Sequence, residues 1–125
     1  MDIKKIRGYV DENAAGIREV WDIASKFGVS ADSLRKTFRR VVGIPLSEYI
    51  ILRKVSEAKV LREKTDMMCF QICFKVGFAR EDSGLRAFKR LVGMTMIQYR
   101  VASRNNLPVR HVAEAYPAVL AFCTG

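Results

Sequence analysis

The sequence predicts an all-α fold of seven helices, and three observations carry that expectation. Apolar residues recur at intervals of three and four along nearly the whole chain, the spacing that lines one face of a helix. No stretch shows the apolar-polar alternation of a half-buried strand. Turn-forming residues cut the periodic runs into helical lengths at Gly16, Gly28-Val29-Ser30, Gly43 with Pro45, Thr65-Asp66, Gly77 and Gly93.

Ile3, Ile6 and Val10 mark the first helix, and Ile17, Val20, Ile23, Ala24 and Phe27 the second. Ser30 is placed to cap a third, whose Leu34, Phe38 and Val41 point inward. Tyr49, Leu52, Val55, Ala58 and Leu61 stripe a long fourth helix from Leu46 to Glu63, which at 1.5 Å per residue spans roughly 27 Å. Met68, Ile72, Cys73 and Val76 indicate a fifth, Leu85, Phe88 and Leu91 a sixth, and a short seventh runs through Ile97 and Tyr99 toward Arg104. In the tail that follows, Pro108 and Pro117 limit any helix to a piece around Val109 to Ala115.

Half of the 125 residues are apolar, enough for one domain, or two very small ones sharing a core, to fold without staples. Twenty-two Lys and Arg against thirteen Asp and Glu leave a charge of +9, which favours an anionic partner, nucleic acid ahead of membrane. No run reaches the roughly 18 uncharged apolar residues of a membrane span, and the charged start MDIKKIRGYVDE does not resemble a signal peptide, so a cytoplasmic location is expected. Cys69, Cys73 and Cys123 are odd in number and lack CxxC spacing, so neither a disulfide framework nor a zinc site is expected. Cys69 and Cys73 read as small core residues on one helical face, with a redox switch as the alternative. The single histidine, His111, reads as solvated or capping, so no metal, cofactor or catalytic residue is expected.

Residues 37 to 49, TFRRVVGIPLSEY, return as residues 87 to 99, AFKRLVGMTMIQY, at an offset of fifty. Further back the offset falls to forty-nine: Ile23-Ala24 return as Ile72-Cys73, Gly28 as Gly77 and Val29 as Phe78, so one residue has been inserted after the corner. Each copy is a helix, a glycine-bearing turn and a second helix with a basic outer face, the sequence form of a helix-turn-helix. A generic helical bundle with duplicated hairpins is the alternative. The basic face favours the helix-turn-helix: Arg35, Lys36, Arg39 and Arg40 lie on or near the face opposite Leu34 and Phe38, as on a helix that enters a DNA major groove. The expected organisation is a tandem helix-turn-helix, two three-helix subdomains joined by a long linking helix that acts as a spacer. Residues 1–45 and 65–104 form the subdomains, 46–64 the linking helix and 105–125 the tail.

The segments IASKFGVSADSLRKTFRRVVG, SEYIILRKVSEAKVLRE and ICFKVGFAREDSGLRAFKRLVGMTMIQYR resemble the DNA-binding domain of the AraC/XylS transcription regulators across roughly residues 3 to 103. The resemblance implies a bacterial regulator that binds double-stranded promoter DNA through two recognition helices. It implies base contacts from Asp32, Arg35 and Lys36 in the first and from Glu81, Asp82 and Arg86 in the second. Phosphate contacts are expected from Arg39, Arg40, Lys89 and Arg90. RNA polymerase, and an effector or dimerisation domain outside this chain, are the further partners it suggests.

Three positions depart from the family pattern. Lys54 replaces a common arginine, Met96 a frequent proline, and Gly84 stands where the first copy has Leu34. Gly84 is expected to leave the second recognition helix without a core anchor, with Leu85 rotating inward to compensate and a weakened second head as the result. That weakness is the basis of an alternative function, a helical protein-interaction module. Glu81 and Asp82 have a plain structural reading too, as acidic residues offsetting a helix dipole.

Overall fold

A computed structural model describes residues 1–105. The helices are α1 (Ile3–Asn13), α2 (Val20–Phe27), α3 (Ala31–Val42), α4 (Leu46–Lys64), α5 (Cys69–Lys75), α6 (Glu81–Val92) and α7 (Met96–Arg104), with a 3₁₀ turn, Ala14–Gly16, between α1 and α2. No strand occurs among the described residues, and none of the helices is long and apolar enough to cross a membrane. The expected tail helix and His111 lie outside the described residues.

The repeat visible in the sequence is a repeat of backbone geometry. Gly28 and Gly77 both have positive φ, 64° and 103°, at the corner between the two helices of each copy. The corner is closed by the same bond in each, Val29 N–H to the Ala24 carbonyl at 3.0 Å and Phe78 N–H to the Cys73 carbonyl at 2.9 Å. Gly43 and Gly93, with φ of 98° and 90°, end α3 and α6 in the same way. After each, the chain brings a tyrosine back onto the helix just ended: Phe38 packs on Tyr49 with centroids 5.4 Å apart, and Phe88 on Tyr99 at 5.5 Å. Both tyrosines are fully buried, and each hydroxyl donates to a carboxylate, Tyr49 to Asp11 at 2.6 Å and Tyr99 to Glu63. Burial and the Glu63 carboxylate push the Tyr99 phenol well above its ordinary value.

The long helix α4 is the centre of the molecule and touches most of the others. Its buried residues include Tyr49, Leu52, Val55 and Ala58, as the stripe predicts, and also Ile50, Lys54, Lys59 and Arg62 on its other faces. A one-sided apolar stripe describes a helix lying on a surface, whereas this one is enclosed. Of its buried cations, Arg62 donates from Nε to the Met96 carbonyl at 2.9 Å, and beside it the half-buried Arg100 of α7 donates to the carbonyls of Thr65 and Met67, both at 2.8 Å.

Several expected core positions are shifted by one residue. Val41 is 47% exposed while Val42 is buried, and Ile97 is 67% exposed while Met96 is buried. Periodicity could not separate adjacent apolar residues, and the packing of α4 chose between them. Met68 is an exposed cap before α5, and Ile17 is buried but precedes α2.

Candidate nucleic-acid interface

The outer faces of α3 and α6 carry the residues singled out in the sequence. Ser30 caps α3, its hydroxyl accepting from Ser33 N–H at 3.1 Å, and Leu34, Phe38 and Val42 hold the inner face in the core. This leaves Asp32, Arg35, Lys36, Arg39 and Arg40 exposed. On α6 the buried set is Gly84, Ala87, Phe88, Leu91 and Val92, leaving Glu81, Asp82, Arg86, Lys89 and Arg90 exposed. All ten expected contact residues therefore face solvent, and the ends of both helices carry Arg or Lys where the dipole favours cations.

Two of the three acidic residues are ion-paired. Asp32 pairs with Arg35 at 3.3 Å, and Asp82 lies between Arg80 and Arg86, 3.0 Å from each. Arg35 and Arg86 are thus each held by a carboxylate one turn earlier on their own helix. These exposed pairs are weak, so they order the guanidinium without preventing its transfer to another acceptor. Sequence reasoning missed Arg80, whose signal was its place just before the acidic pair at the start of α6. Arg90 reaches off its helix to Glu48 on α4 at 2.8 Å. Lys36, Arg39, Arg40 and Lys89 make no ion pair with the described residues.

Gly84 corrects the expectation of a missing anchor. A Cβ at this position would lie 2.6 Å from Cys73 Sγ and 3.0 Å from the Phe78 ring, so the space is already filled. The residues that fill it are the second-copy equivalents of Ala24 and Val29. The first copy combines two smaller neighbours with a leucine, and the second combines two larger neighbours with a glycine. Leu85 stays half-buried and has not rotated inward, so α6 keeps the phase of α3. Cys73 is a core residue whose thiol is pushed up to about 11 by burial, then by Glu81 and Cys69.

Phe38 of α3 packs on Tyr49, and Arg90 of α6 reaches Glu48, so both meet the N-terminal half of α4. A cleft of about 310 Å³ lies where the halves meet, lined by Arg18 and Glu19 just before α2, Ile50 and Lys54 from α4, Phe78 just before α6 and Ser83 within it. Lys54, only 6% exposed, donates from Nζ to the Ile17 carbonyl at 2.6 Å and to the Gly77 carbonyl at 2.9 Å. Burial, then Arg18, lower its pKa, and Asp22 opposes them. Among the described residues no group of three or more His, Cys, Asp or Glu is arranged to hold a metal ion.

Residues 23–102 match a family model described as a helix-turn-helix domain. The activator AarP of Providencia stuartii is 30% identical over 100 residues, 80% of this chain and 74% of that protein. The chain belongs to the AraC-type helix-turn-helix family. It is the DNA-binding domain of a transcription regulator, in a family of regulators rather than enzymes. The putative regulator YkgA of Escherichia coli K12 is 29% identical over 98 residues, 78% of this chain but 41% of that longer protein. The fold is that of the DNA-binding domain of AdpA, solved with a target DNA, at a TM-score of 0.78 and 21% identity, covering 83% of this chain and 94% of that one.

Proposed function

We propose that this AraC-type domain reads a specific promoter sequence by placing α3 and α6 in successive major grooves of double-stranded DNA. The observation that carries the reading is the duplicated presentation of two helices by the same glycine corners and the same Phe-Tyr pins, each with its cations outward. In this reading Arg35, Lys36 and Arg86 bond base edges, with Asp32, Glu81 and Asp82 orienting them or accepting from cytosine. Arg39, Arg40, Lys89 and Arg90 neutralise phosphates. The site of action is bacterial cytoplasmic DNA, with RNA polymerase and an effector or dimerisation domain in a longer protein as further partners. The protein-interaction alternative rested on a defective second helix, and the packed Gly84 site removes its support.

Selection of bound duplexes from a random pool tests this. The expected product is one asymmetric site with two blocks about 34 Å apart, one helical turn. Arg35→Ala should then cost about 1–3 kcal/mol at one base position, while Arg40→Ala should weaken all sequences alike and flatten the salt dependence. Equal losses on selected and random duplexes for both variants would overturn this assignment.

A further inference from the structure

We infer that Lys54 is the residue that fixes the two DNA-reading units relative to each other, and so sets the spacing of half-sites the protein accepts. The inference rests on the two-headed reading proposed above. Ile17 leads directly into α2 of the first unit, and Gly77 is the corner between α5 and α6 of the second. Their carbonyl oxygens both accept from the one ammonium. Two carbonyl oxygens repel when brought together, so a buried multivalent donor between them turns a repulsive approach into an attachment.

The surrounding contacts make the attachment stiff. Gly77 comes so close to the 3₁₀ turn of the first unit that a Cβ on it would sit 2.3 Å from the Ala15 carbonyl oxygen. The units therefore meet backbone to backbone at this point, with no side chain to act as a cushion. Lys54 also lies 5.7 Å from the centre of the Phe78 ring, and Phe78 fills the space against Gly84 on α6. A path of direct contacts thus runs from the start of α2 through Lys54 to the recognition helix α6. Through this joint the relative placement of α3 and α6 comes to depend on Lys54 as well as on the shared helix α4. Lys54 acts through the backbone of both units and touches no DNA in this reading, so it is a positioning residue.

The test compares the full chain with Lys54→Met on the selected duplex, on versions with the two blocks moved by one or two base pairs, and on each block alone. The wild type should lose about tenfold in affinity when the spacing is wrong, as for a mismatched contact. Lys54→Met should keep its helical circular dichroism and single-block affinities but discriminate between spacings by about twofold or less. A merely structural role would lower all affinities together and leave the spacing preference intact, and that outcome would overturn the inference. If Lys54→Met does not fold, Lys54→Gln, which retains an N–H donor, carries the same comparison. Absence of any spacing preference in the wild type would instead remove the two-headed reading beneath it.

Discussion

Gly84 and Cys73 have to be treated as a pair, because the backbone of one occupies the space against the sulfur of the other. Gly84→Ala should destabilise the fold by about 1–2 kcal/mol in urea denaturation, overpacking outweighing the better helix propensity of alanine. Adding Cys73→Ala should recover a measurable part of that loss, since the contacts overlap and additivity fails for such neighbours. The thiol is also chemically silent in the folded state. Its value of about 11, against an ordinary 9.0, means the folded protein holds the proton more tightly. That stabilisation is intact below about pH 9 and is lost as the pH rises toward 11. Peptide mapping after iodoacetamide treatment at about pH 8 should therefore show Cys69 modified before Cys73, and Cys73 only at the rate of global unfolding. Equal labelling of the two would contradict the packing described here. The sequence showed the departure at Gly84 but not its compensation, because nothing in the spacing says that residues 73 and 78 point into the same space.

Within single helices, capping and apolar spacing were enough to place most elements. Ser30 was legible as the cap of α3, and it bonds Ser33 N–H. Ser30→Ala should cost about 1 kcal/mol of stability while leaving the order of preferred DNA sequences unchanged. A change in that order would mean the cap also sets the reading angle of α3. The start of α6 has no such signal: Arg80 precedes it with no capping side chain, and Asp82 in its first turn is engaged with Arg80 and Arg86. The enclosed helix α4 was the least legible element. Lys54, Lys59 and Arg62 look like a solvated face in sequence and become buried only because other parts of the chain cover them. Charge alone could not divide these interior cations from those on α3 and α6, since the distinction arises from tertiary contact.

For the whole molecule, the surplus of +9 overstates what is available to a partner, because part of the basic set is committed internally. The four expected phosphate-contacting cations, at about 0.9 each, give a slope of log affinity against log salt of about −3.6. Titrations at several salt concentrations should return that slope or a steeper one, and a flat response would exclude phosphate contact as the source of affinity. The duplicated architecture was legible because the offset of fifty preserves glycine, phenylalanine and tyrosine positions that enforce the same turns and pins. The meeting of the two copies was not, since it depends on a lysine and on backbone atoms that carry no pattern. The exchange of bulk at the second corner also makes the copies non-interchangeable cassettes. Transplanting α3 whole in place of α6 would drive its leucine into Cys73 and Phe78. A redesign of promoter preference must either repaint outward positions alone or import Cys73→Ala, Phe78→Val and Gly84→Leu as one inseparable set.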